Sequence, residues 1–183
     1  MEYETFDPKI HDSRHVATLI YDVDFRTFDK LFKSSEKAID AIEKNLRKEK
    51  CLKVILDNGE LIGMLMFYTW DINHEFRLKH YKLFIVDILD HFVLSDIKKG
   101  DFYLAEIAID KDKRSKGYGR RVIHDVINYA RKNNYTRVTL DADFRNAKAK
   151  SLYERIGFRQ FNKKSFLKRG MYNMELKLYE EVS

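Results

Sequence analysis

Apolar residues follow two spacings along the chain, and the spacing changes from one segment to the next. Recurrence at every third or fourth position indicates amphipathic helices, whereas alternation or a continuous apolar run indicates strands. The helical spacing occurs over residues 13–21, 24–32, 36–48, 78–92, 119–132 and 146–156. The strand pattern occurs over residues 2–7, 51–56, 60–70, 102–110, 136–140 and 171–179. Helices and strands interspersed in one chain predict an α/β fold.

Turn and cap residues mark several of the boundaries. Asn58-Gly59 separates the second and third strands and tolerates the positive φ angles of a tight hairpin, so these two strands are predicted to pair antiparallel. Ser34 and Ser35 offer an N-cap to the third helix, and Gly157 offers a C-cap to the sixth. The segment before the last strand is predicted to be a solvated basic loop, which contains Lys163, Lys164, Lys168 and Arg169.

A long helix is predicted within residues 71–100, between the third and fourth strands. Its apolar residues at helical spacing are Leu78, Tyr81, Phe84, Ile85, Ile88, Leu89 and Phe92. His74, His80 and His91 also lie in this segment, but no two of them have the separation of three or four residues at which helical side chains share a metal ion. No metal site is therefore expected.

Length and composition favour one globular unit. At 183 residues with 44% hydrophobic content, the chain can bury one sizeable core, so a single domain over residues 1–183 is expected. The lone Cys51 excludes an intramolecular disulfide and fits a reducing compartment. No secretory signal and no run of roughly 18 apolar residues is present, so a cytoplasmic location away from membranes is expected.

The net charge of +6 allows a polyanionic partner. Nucleic acid, an anionic membrane and a phosphorylated cofactor all meet that condition. Much of the charge is local, because residues 111–121 contain six basic side chains and one acid, Asp112. The distribution therefore favours a compact phosphate site over an extended basic face.

Residues 102–119 predict a strand that runs through a basic, glycine-containing turn into a helix. Glycines let a main chain approach a ligand closely, and the N–H groups of a first helical turn point at an anion. The surrounding cations are Arg114, Lys116, Arg120 and Arg121. Phosphate binding is one interpretation of this pattern, and a solvated turn that caps a helix is the other.

Glu106 is a carboxylate within an otherwise apolar strand, where it shares a face with Leu104 and Ala108. One interpretation pairs it with a lysine at a sheet edge. The other makes it a buried general base with a raised pKa. The strand alone leaves both open.

Two motifs follow one another along this part of the chain. Arg114-x-x-Gly117-x-Gly119 opens a helix, and Asn146-x-x-Ala149-x-x-Leu152-Tyr153-x-x-x-Gly157-Phe158 follows after one further helix and strand. The pair resembles the GNAT superfamily of acyl-CoA-dependent N-acyltransferases over residues 102–158. This resemblance implies a mixed, mainly antiparallel central sheet flanked by helices and splayed between strands 102–110 and 136–140. Residues 71–100 depart from the family pattern, in which a short turn joins the third and fourth strands, and they form an inserted helix.

The resemblance also implies acetyl-CoA as the co-substrate, without a metal, and a role for each motif. The backbone of Ile107, Ala108 and Ile109 is expected to run alongside the pantetheine arm. The residues expected at the pyrophosphate are Arg114, Ser115, Lys116, Gly117, Tyr118, Gly119 and Arg120. Asn146 is expected to hydrogen-bond the cofactor arm, and the Tyr153 phenol to protonate the departing CoA thiolate. Residues seven apart on a helix differ by about 20° in azimuth, so Asn146 and Tyr153 share one face.

An amine must lose a proton before it attacks a thioester, and a buried carboxylate can take that proton. Glu106 lies where many relatives carry a catalytic glutamate. Asp141 lies where others, including the ribosomal-protein alanine acetyltransferases, place a catalytic acid. Glu106 is the preferred base, Asp141 is the second candidate, and Asp143 follows both.

The expected reaction is acetyl transfer to a primary amine by direct attack in a ternary complex, so Cys51 is not expected to act as a nucleophile. The acceptor is a small-molecule or peptide amine, and the inserted helix either covers the acceptor cleft or contributes to a homodimer. Two other functions stay open. One is a basic module that binds RNA or another polyanion, which is the less favoured partner class, and the other is a CoA-binding interaction protein without catalysis.

Overall fold

The computed structural model describes residues 1–72, 80–167 and 169–179. The helices are α1 (Ser13–Val23), α2 (Phe25–Phe32), α3 (Ser35–Asn45), α4 (Tyr81–Val93), α5 (Tyr118–Lys132) and α6 (Ala147–Ile156). The strands are β1 (Glu2–Thr5), β2 (Leu52–Asp57), β3 (Glu60–Thr69), β4 (Asp101–Ile109), β5 (Arg137–Asp143), β6 (Arg159–Phe166) and β7 (Arg169–Lys177). A 3₁₀ turn, Lys111–Lys113, follows β4.

Within the described ranges the strands form a seven-stranded sheet in the order β1-β2-β3-β4-β5-β7-β6. The pairs β1–β2, β2–β3, β5–β7 and β6–β7 are antiparallel, whereas β4 and β5, which α5 connects, are parallel. The predicted α/β fold with a mixed, mainly antiparallel sheet and flanking helices is therefore confirmed. The inserted helix between the third and fourth strands is also confirmed as α4, although Leu78 and His74 lie outside the described residues.

The chain divides into two compact units. The first comprises Met1–Phe67, His74–Ile88 and Glu106–Gly119. The second comprises Tyr68–Asn73, Leu89–Ala105 and Arg120–Ser183. A single domain over the whole chain stays a prediction.

The first unit packs α1, α2 and α3 against the apolar residues of β2 and β3. Val16, Phe28, Val54 and Met64 belong to this core. β3 and β4 approach each other closely at Gly63, where a Cβ would lie 2.4 Å from the carbonyl oxygen of Ala108. Only a residue without a side chain fits this approach.

The second unit has a core of its own beneath α5. The residues that α5 buries at helical spacing are Val122, Ile123, Val126, Ile127 and Ala130. The β5–β7 ladder extends from Arg137 opposite Lys177 to Asp143 opposite Met171. β5 therefore continues beyond Leu140, where the sequence pattern ended it, and Asp141 lies within the strand.

The predicted basic loop before the last strand is wrong. Lys163 and Lys164 lie in β6, and Arg169 begins β7, while Lys168 lies outside the described residues. β6 is an edge strand in which all positions but Lys164 are exposed. It lacks the alternating apolar face that would mark it as a strand in the sequence.

The β4–β5 ladder pairs Asp101 with Arg137 and ends with Leu104 opposite Leu140. Each strand continues beyond this ladder, β4 to Ile109 and β5 to Asp143. Strands 102–110 and 136–140 are expected to splay apart. This splay would lie where the two strands continue beyond their ladder, and it stays a prediction.

Candidate active site

The turn that leads from β4 into α5 has an exposed backbone. Ser115 and Gly117 adopt positive φ angles of 62° and 82°, and a Cβ at Gly117 or Gly119 would meet nothing within 4 Å. The first N–H groups of a helix have no partner within it and carry the positive end of its dipole. The turn therefore has open space beside Gly117 and Gly119, next to the N-terminal N–H groups of α5, where an anion can approach the backbone.

Part of the positive charge around this turn is neutralised by neighbouring carboxylates. Lys111 Nζ lies 3.2 Å from Asp22 Oδ1, and the Arg114 guanidinium lies 3.3 Å from Asp22 Oδ2. Lys113 Nζ lies 2.7 Å from Glu60 Oε2. These three cations therefore already form ion pairs within the first unit in the absence of a ligand.

Lys116 and Arg120 differ from those three cations. Both side chains are exposed, and neither forms an ion pair with a residue in the described part of the chain. Lys116 precedes α5 and Arg120 lies in its first turn. They are therefore the two cations best placed to receive a phosphorylated ligand.

Two side-chain contacts hold the turn in place. Arg114 Nε donates to the carbonyl oxygen of Ile109 over 2.8 Å. The Tyr118 hydroxyl donates to Asp57 Oδ2 over 2.8 Å. The predicted turn residues thus include anchors, Arg114 and Tyr118, as well as open backbone.

The second half of β4 carries Glu106, Ile107, Ala108 and Ile109. Glu106 and Ile107 are half-buried, and Ala108 and Ile109 are buried. β4 has β3 on one side and β5 on the other in the sheet order. The β4–β5 ladder ends at Leu104 opposite Leu140, before Glu106 is reached, so both interpretations of Glu106, a residue paired with a lysine at a sheet edge and a buried base, stay predictions.

Asp141 is the centre of a polar cluster in the second unit. Its Oδ2 accepts from the Ser95 backbone N–H at 2.9 Å and from the Tyr103 hydroxyl at 2.7 Å. Its Oδ1 accepts from Ser95 Oγ at 2.7 Å and from Asn173 Nδ2 at 2.6 Å. The donors are buried, with 9% of Ser95, 2% of Tyr103 and none of Asn173 exposed.

Tyr153 lies on α6 with 9% of its surface exposed, and its ring packs on Phe158 with centroids 6.1 Å apart. Its hydroxyl forms no hydrogen bond with the described residues. Burial, and then the negative charge of Asp141, raise the pKa of Tyr153 to about 12. The phenol is therefore protonated throughout the physiological range, as a general acid must be.

Asn146 is the N-cap of α6, where its Oδ1 accepts from the backbone N–H of Ala149 over 3.1 Å. This cap confirms the predicted start of the helix, and Gly157, with a φ of 112°, confirms its predicted end. The carboxamide nitrogen of Asn146 carries two further donors. It is the group that can reach a ligand without loss of the cap.

The structure groups the predicted site residues within each unit. The first unit holds Glu106 to Gly119 in one continuous segment. The second brings Asp141 within electrostatic range of Tyr153. Sequence reasoning missed Ser95, Tyr103 and Asn173, because their contact with Asp141 depends on strand order and register, which no local pattern encodes.

Other features of the described residues bear on the chemistry. No group of three or more His, Cys, Asp or Glu side chains there is arranged to hold a metal ion. None of the helices searched is both long and apolar enough to cross a membrane. A cavity of about 340 Å³ in the first unit is lined by Lys37, Asp40, Ala41, Lys44, Asn45 and His80. None of the predicted site residues lines this cavity.

Solved structures share this fold. An N-acetyltransferase from Staphylococcus aureus Mu50 is 19% identical, with 96% of this chain and 100% of that chain covered and a TM-score of 0.71. The ribosomal-protein-S18-alanine N-acetyltransferase from Escherichia coli is 13% identical, with 98% and 95% covered and a TM-score of 0.57. A Bacillus subtilis acetyltransferase in complex with CoA is 14% identical, with 97% and 99% covered and a TM-score of 0.59.

Sequence comparison gives the family. No curated protein matches the chain. A family model described as the acetyltransferase (GNAT) family matches residues 18–158, which include the turn before α5, Asp141 and Tyr153. With its fold and more than half of its length matched, the chain belongs to the GNAT family of acetyltransferases.

Proposed function

We propose that this GNAT acetyltransferase transfers an acetyl group from acetyl-CoA to a primary amine by direct attack in a ternary complex. The observation that carries the proposal is the open backbone at the start of α5, where Gly117 and Gly119 leave space that any side chain would enter. An exposed backbone with positive φ angles beside a helix N-terminus suits close approach by phosphate.

The turn binds the pyrophosphate of the co-substrate. The backbone N–H groups from Arg114 to Gly119 supply the donors, and Lys116 and Arg120 supply charge that no described carboxylate neutralises. The backbone of Ile107, Ala108 and Ile109 borders the pantetheine arm, and the Asn146 carboxamide donates to it. Acetyl-CoA supplies the thioester that the amine attacks.

Glu106 is the proposed base. Its carboxylate is half-buried on β4, in the same unit as residues 106–119 that lead into α5, and a carboxylate can take up the proton of an ammonium group. Asp141 is less suited, because four hydrogen bonds from Ser95, Tyr103 and Asn173 occupy its oxygens. An ionised carboxylate offers about four lone-pair positions.

Tyr153 is the proposed acid. With a pKa raised to about 12, its phenol always holds a proton to deliver. A free thiol has an ordinary pKa of about 8.5, so the phenol is the weaker acid. Transfer of the phenol proton to a free thiolate is therefore unfavourable by itself, so Tyr153 acts first by a hydrogen bond that stabilises the charge on sulfur as the carbon–sulfur bond breaks.

The acceptor class is a small-molecule or peptide amine. The Escherichia coli neighbour is named for an alanine of ribosomal protein S18, which supports inclusion of peptide amino termini in any screen. A cytoplasmic location and a homodimer stay predictions.

Calorimetric titration with acetyl-CoA tests the proposal. Wild type is compared with Gly117→Glu and with Lys116→Glu/Arg120→Glu, each at low and high salt. Arg131→Glu/Lys132→Glu is the matched control for the double variant, because it also reverses two charges, at the other end of α5, where Lys132 lies about 18 Å along the axis from Arg120.

We expect wild type and the control to bind acetyl-CoA. We expect both turn variants to lose this binding. Absence of binding in wild type, or unchanged binding in the turn variants, would overturn the proposed site. Affinity that falls steeply with salt for RNA as well as for acetyl-CoA would favour a polyanion-binding module instead.

A further inference from the structure

α1 presents two polar side chains to the segment that leads from β4 into the turn before α5. His15 Nε2 donates to Asp110 Oδ1 over 2.7 Å, and, because a carboxylate only accepts hydrogen bonds, this ring nitrogen carries the proton. Asp22 Oδ1 lies 3.2 Å from Lys111 Nζ, and Asp22 Oδ2 lies 3.3 Å from the Arg114 guanidinium. Residues seven apart on a helix differ by about 20° in azimuth, so His15 and Asp22 belong to one face of α1.

The two carboxylates in these contacts are largely shielded from solvent. The side chain of Asp22 is 10% exposed and that of Asp110 is 20% exposed. Solvent and salt screen a contact with a shielded carboxylate less than one at the surface. The Lys111 side chain, which is 72% exposed, contributes least. The contacts that can hold the segment are therefore His15 with Asp110 and Asp22 with Arg114.

Arg114 links α1 to the end of β4. Its guanidinium donates to Asp22, while its Nε donates to the carbonyl oxygen of Ile109 over 2.8 Å. The backbone N–H of Asp110 donates to the carbonyl oxygen of Ile62 on β3 over 2.9 Å. The start of the turn is thus fixed to α1, to β3 and to the end of β4, all within the first unit.

The other end of the turn is anchored at Tyr118, whose hydroxyl donates to Asp57 of β2 over 2.8 Å. Ser115 and Gly117, with their positive φ angles, lie between the two anchors. A ligand that must order a loop loses affinity to the conformational entropy of ordering. A turn that is already held therefore presents its backbone N–H groups to an anion at a smaller cost in free energy.

We propose that His15 and Asp22 are positioning residues for acetyl-CoA: through Asp110 and Arg114, they hold the turn before α5 in the conformation that receives the pyrophosphate. α1 thereby contributes to co-substrate affinity, although none of the proposed pyrophosphate donors lies on it. This inference rests on the proposed binding of acetyl-CoA at this turn.

Calorimetric titration with acetyl-CoA tests the role of His15. His15→Ala removes the ring and leaves the N-cap of α1 intact, because that cap uses the backbone N–H of His15, which donates to Asp12 Oδ1. The dissociation constant is expected to rise about fivefold with the loss of the hydrogen bond. His15→Gln places an amide N–H near the position of Nε2, and it is expected to bind within about twofold of wild type.

Asp22→Asn separates position from charge. The loss of a negative charge by itself favours an anionic ligand, so weaker binding by the folded variant must come from the lost hold on Arg114. We expect the dissociation constant to rise about threefold at high salt, where the effect of charge is screened. Equal or tighter binding at high salt would show that Asp22 acts by charge alone and would overturn the inference.

Arg14→Ala is the matched control. Arg14 precedes His15 on α1, but its guanidinium pairs with Asp40 and Glu43 of α3. The variant loses two ion pairs and keeps the contacts with the turn, so its affinity is expected to stay within about twofold of wild type. Equal weakening in Arg14→Ala and His15→Ala would indicate a general loss of α1 stability and overturn the inference. Full affinity in His15→Ala, or no rescue by glutamine, would overturn it as well.

A measurement without ligand separates this inference from the proposed function. In ligand-free protein labelled with ¹⁵N, the heteronuclear NOE of the Ser115 and Gly117 amides reports how rigid the turn is. This NOE is expected to fall in His15→Ala and in Asp22→Asn, and to stay unchanged in Arg14→Ala. Unchanged values in all three variants would overturn the inference even if acetyl-CoA binds. Lower values in a protein whose wild type binds no acetyl-CoA would sink only the proposed function.

Discussion

Asn173 lies directly opposite Asp141 in the antiparallel β5–β7 ladder, and its Nδ2 donates to Asp141 Oδ1 over 2.6 Å. The side chain of Asn173 is fully buried. The neutral Asn173 amide therefore donates to the Asp141 carboxylate in a buried place, where water cannot replace either partner of the hydrogen bond.

Asn173→Asp would place a second carboxylate against Asp141. We expect a free energy of unfolding at pH 7 that is lower by about 2–4 kcal/mol, because a hydrogen bond is lost and like charges are buried together. Urea denaturation at pH 7 measures the loss.

Asn162→Asp is the control for that experiment, since Asn162 is an exposed residue of β6 in register with Asn173. It should change stability by no more than about 0.5 kcal/mol. Equal effects at the two positions would contradict the special environment of Asn173.

Tyr153→Phe should abolish most turnover without loss of acetyl-CoA binding. The hydroxyl is not hydrogen-bonded to the described residues, so its removal leaves no partner unsatisfied. The loss of a general acid lowers kcat by about 100-fold or more. Kinetics and calorimetry on the same sample check this, with Tyr129→Phe, at an exposed position on α5, as the control. Retention of full kcat would remove Tyr153 from the mechanism.

The stability of the protein should depend on pH through Tyr153. Its pKa in the folded protein, about 12, is above the ordinary value of 10.0, so the phenol releases its proton more readily once the chain unfolds. The resulting stabilisation is complete below pH 10 and disappears as the pH rises from 10 to 12. It amounts to about 3 kcal/mol.

Comparison of wild type with Tyr153→Phe isolates that effect. From pH 9 to pH 12 wild type should lose about 2 kcal/mol of unfolding free energy relative to Tyr153→Phe. A difference that stays constant over this range would show that the phenol is not buried as the structure has it.

Gly63→Ala should destabilise the first unit by about 2–3 kcal/mol, because its Cβ would lie 2.4 Å from the Ala108 carbonyl oxygen and backbone would have to move. Gly119→Ala is the control, and its effect on stability is expected to have the opposite sign. Nothing lies within 4 Å of a Cβ there, and alanine is the better helix former, so stability should rise by up to about 1 kcal/mol. Thermal denaturation of both variants distinguishes the two environments.

The sequence predicted those parts of the protein that depend on neighbouring residues. The hairpin at Asn58-Gly59 and the caps Ser34, Asn146 and Gly157 are as expected, since each depends on residues within one turn. β6 escaped prediction because an exposed edge strand has no apolar face to display. The charge cluster at residues 111–121 was visible, but its partial neutralisation by Asp22 was not, because Asp22 lies on a distant part of the chain.

In the candidate site, too, contacts between residues distant in the sequence could not be predicted. Asp141 was identified as a candidate base through the resemblance to the ribosomal-protein alanine acetyltransferases. Its hydrogen bonds depend on the β4–β5–β7 order and on a serine 46 positions earlier in the chain. Role assignment therefore required the register, which shows that four hydrogen bonds already occupy the oxygens of this candidate base.

The link between Ser95 and Asp141 also limits how this enzyme can be re-engineered. The inserted segment is not a detachable module: its excision, or its exchange for the short connection of a compact relative, would leave Asp141 with Tyr103 and Asn173 alone among its described donors. A graft of the segment onto another scaffold would have to bring along both the serine and an aspartate to receive it. Shortening or lengthening of residues 94–100 would shift the serine out of reach in the same way.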